Sequence, residues 1–318
     1  MNGCLLEAAP QSAIARLFVA GETLEPAEAR RELPETFLAS LTELGLLTIA
    51  DGSVTAGEFR LVNHLGLALF VHKVTPRAKL YYGYDSVALS ERIPPVEGEA
   101  LDLCCGAGAQ TLVCAQTAGS VTAVDREPLA GEVLAINAAV NGLSQKVEFL
   151  LGDFLEPVAG RQFDRIVSNP PFMPVPPGVP YPLFAGGGPD GLELVARLLA
   201  ALPEMLKPEG RCQIVGAVLG TEDGPDQTVF RSLAEQARLE LTIACPTCEE
   251  LEGDTLQSFV RTTTLTGDGV ERVFREHFAA LGATHLYCYL LSAARAPRAS
   301  VTVSHHDDER TTVWMSRR

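Results

Sequence analysis

Beyond residue 98 the chain switches repeatedly between two hydrophobic periods, and that switching narrows the possible folds more than any other feature. Strand-like runs, "ALDLC", "SVTAVD", "KVEFLLGD", "FDRIVS" and "RCQIVGAVL", are interleaved with helix-like segments. These helices start at Ala109, at "PLAGEVLAINAAVNG" and at "GLELVARLLAALPEML". The alternation predicts an α/β domain, a mainly parallel sheet with helices on both faces. A helix near 225–238, a strand near 239–244 and the apolar "THLYCYLLSAA" complete it. Residues 246–282 read as an insertion with its own helix, "GVERVFREHFAALG".

Residues 1–95 follow another pattern. "AIARLFVAG" and "LPETFLASLTELGLL" have helical spacing, whereas "TIADGSVTAGEFRLVNHLGLALFVHKV" alternates around the turn signal Asp51-Gly52. Helices followed by a small hairpin predict a helical, winged-helix-like module that ends at the junction "IPPVEGEA". Up to Lys79 it holds seven Lys or Arg against nine Asp or Glu. That balance speaks against DNA reading and for a packing or substrate-covering role. The expected division is a module at 1–95, an α/β domain at 96–294 and a polar tail at 295–318. The tail's "HHDDER" reads as a solvated run rather than a metal site.

The charge of the whole chain points the same way. Nucleic-acid affinity rests largely on Lys and Arg neutralising phosphates, and this chain has a net charge of −15. Nucleic acid is not the expected partner. Hydrophobic residues make up 47% of 318 positions, enough for a sizeable core, yet no apolar run reaches the length of a membrane span. The opening "MNGCLLEAAPQSAIARLF" lacks the basic region of a secretory signal, and eight cysteines in that context read as reduced thiols of a cytoplasmic protein. Cys104, Cys105 and the "CPTC" pair Cys245 and Cys248 read as buried thiols rather than zinc ligands, so no metal is expected.

Four strand ends carry the chemistry. "LDLCCGAGAQ" follows the first strand and opens a helix, and Gly106 and Gly108 let the backbone turn sharply and approach a ligand at the carboxyl edge. A dinucleotide fingerprint would place a third glycine at 111, which is Thr, so pyrophosphate binding loses support. Asp125 closes the second strand, placed to accept from two ribose hydroxyls. Asp153 closes the third, placed to accept from an adenine amino group, with Phe154 beside it to pack on the ring. The fourth strand ends in Asn169-Pro170-Pro171-Phe172.

Glycine turn, two acids and Asn-Pro-Pro-Phe in that order resemble the class I S-adenosylmethionine (SAM) methyltransferases, in particular the group with an (Asn/Asp)-Pro-Pro-(Tyr/Phe) motif. The resemblance covers residues 80 to 294. It implies a Rossmann-like fold with a mainly parallel seven-stranded sheet, SAM as cofactor and S-adenosylhomocysteine as product. It implies a cofactor site at Asp102, Cys104, Gly106, Gly108 and Gln110, continued by Asp125, Arg126, Asp153, Phe154 and Asn169. Asp85 and Ser86 are placed to meet the methionine ammonium and carboxylate. Cys104-Cys105 departs from the family, which usually carries Gly and a small residue or Cys there.

The Asn-Pro-Pro-Phe turn itself suits transfer to nitrogen. The Asn169 side-chain carbonyl and the Pro170 carbonyl can accept both hydrogens of a planar –NH2 group, and the prolines keep those acceptors in place. Phe172 offers a face for a flat amide, base or guanidinium. Asn169, Pro170 and Phe172 are the expected catalytic residues. Tyr81, Tyr82 and Tyr84 in "KLYYGYDSVALSERIP", with Pro171 and Phe172, are the expected acceptor-binding residues.

The acceptor is less tightly specified. "FAGGGPDGLELVARLLAALPEMLKPEGR" resembles the segment after the motif in release-factor glutamine methyltransferases, and Asp190 with Glu193 reads as a capping box. The N-terminal module, however, does not read as the all-helical recognition domain expected of them. The favoured reading is an N-methyltransferase for a small molecule, amino acid or peptide. The alternatives are a release-factor glutamine methyltransferase, an RNA guanine N2-methyltransferase and a non-catalytic SAM-binding regulator.

Overall fold

The computed structural model describes residues 12–305, apart from 74, 76, 77 and 268 and the side chain at 305. Residues 1–11 of the stretch read for a secretory signal lie outside the described residues, and so does "HHDDER" except for the backbone of its first residue.

A π-helical turn, Ala15–Ala20, precedes helices α1 (Pro26–Glu32) and α2 (Glu35–Glu43). Two hairpins follow: β1 (Thr48–Ala50) with β2 (Ser53–Thr55), and β3 (Phe59–His64) with β4 (Leu67–His72). The first turns at Asp51-Gly52, the second at Leu65 and Gly66, with φ of 53° and 87°. Leucine in a left-handed conformation gives no turn signal in the sequence, which is why only one turn was legible.

Helix α3 (Tyr84–Ser90) leads into the α/β domain. Its elements are β5 (Glu99–Leu103), α4 (Ala109–Thr117), β6 (Ser120–Asp125), α5 (Pro128–Val140), β7 (Val147–Leu151) and β8 (Phe163–Ser168). Then come α6 (Glu193–Met205), β9 (Leu206–Thr221), β10 (Gly224–Pro225), α7 (Thr228–Ala237) and β11 (Leu239–Glu250). The last are α8 (Gly253–Thr262), α9 (Val270–Ala280), β12 (His285–Arg295) and β13 (Ser300–His305).

The sheet order is β7-β6-β5-β8-β9-β12-β11-β13, with β10 paired to the end of β9. Neighbours are parallel from β7 to β9, and β12 runs antiparallel to both β9 and β11. The strand β13, from the stretch read as a polar tail, adds parallel to β11 and extends the sheet beyond seven strands. The order reverses between β5 and β8, and open α/β sheets hold ligands at the carboxyl ends beside such a point.

Local chemistry places the helices that support this edge. Helix α5 starts with Pro128, whose missing N–H costs nothing in the first turn, and the Glu127 side chain accepts from Leu129 N at 3.3 Å. The N-terminal module shares one apolar cluster with α4 and α5, including Phe18, Leu69 and Phe70 against Leu112, Val133 and Leu134. Helices α8 and α9 form a second cluster with α3 through Phe259, Phe274 and Phe278 against Ala88 and Leu89, and Phe172 and Tyr181 pack on it. Both added parts thus rest on elements that carry candidate site residues.

Candidate active site

A cleft of about 1230 Å³ opens at the carboxyl ends of β5, β6 and β8. On the β5 side the loop 104–108 carries three left-handed residues: Cys104 at φ 60°, Gly106 at 52° and Gly108 at 87°. A Cβ at Gly106 would stand in the cleft, meeting only the Tyr81 carbonyl at 3.6 Å, so this glycine leaves room for close approach of a ligand. A Cβ at Gly108 would instead meet Leu134 Cδ1 at 2.3 Å. Gly108 therefore seats the start of α4 on α5 and does not line the cleft. Cys104 occupies a conformation that favours glycine, and a non-glycine residue held there stores strain at a ligand-facing loop.

Asp125, at the end of β6, accepts from Gly106 N at 2.8 Å and from Glu127 N at 2.9 Å. Burial pushes its carboxyl up, and these backbone N–H groups oppose the shift. Arg126 and Asp153 also line the cleft. Asp153 pairs with Arg197 of α6 at 3.3 Å, and the Arg197 guanidinium lies 5.3 Å from the centre of the Phe154 ring. Nothing in the local sequence around Phe154 signals a residue on a later helix. Phe154 itself has φ 50°, a second strained non-glycine residue at the rim.

Asp102 is not in the cleft. It is 0% exposed, its Oδ2 accepts from Thr111 Oγ1 at 2.6 Å, and its Oδ1 has no partner among the described residues. Burial pushes it up to about 7. The sequence places an acid at a strand end here, but β5 continues one residue further and turns Asp102 into the packed interior.

The β8 side carries Asn169, Pro170, Pro171 and Phe172, all lining the cleft. Asn169 Nδ2 donates to Asp85 Oδ2 at 3.2 Å and to Ser86 Oγ at 3.3 Å. A carboxylate only accepts, so this contact fixes which end of the amide faces inward. Tyr81 also donates to the Asp85 carboxylate, and burial raises that carboxyl's pKa. Asp85 and Ser86 line the cleft, as expected of cofactor ligands, but the structure also sets them directly behind Asn169.

Gln110 lines the cleft with its amide turned to α3, donating to Ser86 O at 2.8 Å and Ser90 Oγ at 3.2 Å. The Ser90 hydroxyl is shared with His64 Nε2 at 2.9 Å, and His64 Nδ1 meets the Tyr82 hydroxyl at 2.9 Å. Tyr82 thus borders the cleft with its polar end committed to the module. Tyr81 stacks on Phe184 with ring centres 5.8 Å apart. Tyr84 does not belong to the cleft: it is 42% exposed, on the outer face of α3.

The segment after Phe172 folds back on itself. Met173 N donates to Ala185 O and Gly187 N to Met173 O, both at 2.8 Å, and Val175 N donates to Gly188 O at 2.9 Å. Thr263 Oγ1, just past α8, donates to Pro180 O at 2.6 Å, and His277 Nε2 of α9 lies 2.7 Å from Pro189 O. The insertion therefore walls the Phe172 side of the cleft, with Arg261 and Thr262 reaching into it. Asp190 and Glu193 do not form a capping box: Asp190 Oδ1 accepts from Leu192 N at 2.9 Å, and α6 starts only at Glu193. A glycine-rich approach lets the chain make a tight side-chain turn before the helix instead.

A Rossmann-like sheet whose strand β12 runs antiparallel to its neighbours, a glycine loop at its first parallel strand and Asn-Pro-Pro-Phe at its fourth define a class I methyltransferase. The profile of the methyltransferase small domain matches residues 84–223. A putative protein N5-glutamine methyltransferase of Methanocaldococcus jannaschii is 33% identical over 144 residues, 43% of this chain and 72% of that one. A release factor glutamine methyltransferase of Moorella thermoacetica is 36% identical over 151 residues, 44% of this chain and 51% of its own. A ribosomal protein uL3 glutamine methyltransferase of Bradyrhizobium diazoefficiens is 31% identical over 216 residues, 61% and 64%. The chain belongs to this family of SAM-dependent methyltransferases. It spans about half to two thirds of the length of these two longer relatives.

Proposed function

We propose that the protein transfers a methyl group from SAM to the nitrogen of a primary amide, of the kind a glutamine side chain carries, presented on a peptide or protein. The observation that carries this reading is the orientation of Asn169. With Nδ2 committed to Asp85 and Ser86, its Oδ1 is left to accept, and Pro170, the next residue along the cleft wall, brings a backbone carbonyl as the second acceptor of this reading. Two fixed acceptors suit the two hydrogens of a planar –NH2 group, and Phe172 offers a face to the flat group between them. Relatives named as glutamine methyltransferases, at 31% to 36% identity, support the amide as acceptor.

SAM supplies an electrophilic methyl on its sulfonium. Gly106, Asp125, Asp153 and Phe154 would hold it: Gly106 leaves room for close approach, Asp125 would accept from ribose hydroxyls, and Asp153 with Phe154 would meet the adenine. Accepting that methyl would put positive charge on the amide nitrogen. Asn169 Oδ1 and Pro170 O stabilise it through the N–H hydrogens. Asp85 polarises the Asn169 amide from behind, which makes its Oδ1 a better acceptor, since linked hydrogen bonds strengthen one another. One N–H proton then passes to solvent.

Seven described cysteines are free, which supports a place in the reducing cytoplasm. Among the described residues no helix is long and apolar enough to cross a membrane.

The test is methyl transfer from labelled SAM to a panel of glutamine-containing peptides, release factor protein, free amino compounds and RNA, read by mass spectrometry. A gain of about 14 Da on a glutamine side chain, lost in Asn169→Ala while SAM still binds, supports the reading. Transfer only to a free guanidino or amino compound, or only to RNA, overturns the amide assignment.

A further inference from the structure

The edge of β4 that does not face β3 is closed by a helix. Asn141, which caps the C-terminal end of α5, accepts from Ala68 N at 3.0 Å and donates to Ala68 O at 2.8 Å. One turn earlier, Asn137 accepts from Phe70 N at 2.8 Å and donates to Phe70 O at 3.0 Å. Two side-chain amides thus act as the missing neighbouring strand. The geometry permits it because four helical residues rise about 6 Å and two strand residues about 6.8 Å.

The two asparagines differ in where the second N–H goes. Asn141 Nδ2 donates it within the same helix end, to Asn137 O at 2.7 Å, whereas Asn137 Nδ2 donates it to Ala107 O at 2.8 Å. Ala107 sits between Gly106 and Gly108, both left-handed, in the loop that lines the cleft. A chain with two such residues has many backbone alternatives, and a fixed carbonyl between them removes most. Asn137 is 0% exposed, so its amide has no competing water, and both of its donors are committed to carbonyls.

We propose that Asn137 is a positioning residue for the cofactor loop. Through it the β3–β4 hairpin is a built part of the cofactor site and not a separate recognition module. The statement about the cofactor rests on the reading of the cleft given above; the statement about the loop does not.

The test uses the full chain as wild type, Asn137→Ala, Asn137→Ser and Asn141→Ala. Asn141→Ala loosens the same hairpin edge without touching the loop. Two quantities are measured: hydrogen exchange of the peptide spanning 105–112 without cofactor, and SAM affinity by calorimetry. Asn137→Ala is expected to speed exchange in that peptide about tenfold and to weaken SAM binding about tenfold. Asn141→Ala is expected to leave both within about twofold of wild type while lowering the melting temperature comparably. Should Asn137→Ala not melt cooperatively, Asn137→Ser is judged by the same two quantities. Equal effects of the 137 and 141 variants, or an unchanged loop in the 137 variant, overturn the proposal. A wild type that binds no SAM, with loop exchange still separating the variants, refutes the cofactor reading and leaves the positioning role standing.

Discussion

Asp85 stands directly behind Asn169, its Oδ2 3.2 Å from the Asn169 amide nitrogen. A buried carboxylate thereby decides which end of the asparagine faces the cleft. Replacing Asp85 by Ala leaves the amide free to rotate and present its N–H groups. We expect turnover to fall about 10²-fold, the scale of losing one oriented group at a transition state. If Asp85 acts only through Asn169, SAM affinity stays within a few-fold of wild type. A matching loss of SAM affinity, measured by calorimetry, would instead give Asp85 the cofactor contact expected from the sequence.

Gly187 supports the same turn from its other side. A Cβ there would meet Phe172 Cα at 2.6 Å and both Pro171 O and Gly191 O at 2.7 Å. All three are backbone atoms, so none can yield without moving the Pro171-Phe172 turn. We expect Gly187→Ala to cut kcat at least tenfold with little change in SAM affinity, and single-turnover rates with calorimetry separate the two. The backbone N–H of Gly187 also donates to Met173 O at 2.8 Å, which pins this glycine to the turn.

His64 links the module to α3 and is 1% exposed. Burial pushes its pKa from 6.5 down to about 4. Between those values the unfolded chain holds a proton that the folded chain does not, so the contribution to stability is full above pH 6.5 and is lost as pH falls towards 4. The span corresponds to a few kcal/mol, on the order of 1.4 kcal/mol per pH unit. We expect denaturant midpoints of the wild type to drop more steeply than those of His64→Gln between pH 6.5 and 4.5. Parallel curves would show that His64 is not held neutral.

Asp102 works in the opposite sense. Its pKa is raised from 3.8 to about 7, so the folded chain holds the proton more tightly and stability is lost as pH rises through that range. Asp102→Asn keeps an acceptor for Thr111 and removes the buried charge. We expect its stability relative to wild type to improve from pH 5 to pH 8 by about 1 kcal/mol or more, on top of a pH-independent offset from the buried amide N–H. A difference that does not change with pH would mean Asp102 titrates normally.

The order of strand ends was legible because each functional residue there follows a recognisable local period: Gly106 after β5, Asp125 after β6, Asp153 after β7, Asn169 after β8. The network behind them was not. Asn137 reads as one more polar residue on an apolar helix, and His64 as one more residue of an alternating strand. Their partners lie 67 and 26 residues away in sequence, and periodicity carries no information over such distances. Asp102 and Tyr84 were misplaced for a related reason. A position next to a motif fixes the backbone, while burial is set by which neighbour packs on that face.

Strand β12 lies between β9 and β11, although it is made after both. Its pairing covers β9 from Arg211 to Gly220 and most of the length of β11. The glycine loop and the Asn-Pro-Pro-Phe turn leave the ribosome more than a hundred residues before this strand does. During that interval β9 presents an unpaired edge that is apolar on both faces, a template for pairing with another chain. The nascent protein must therefore carry a chemically complete but structurally open half-sheet, which closes only when the stretch around "LYCYLLSAA" arrives.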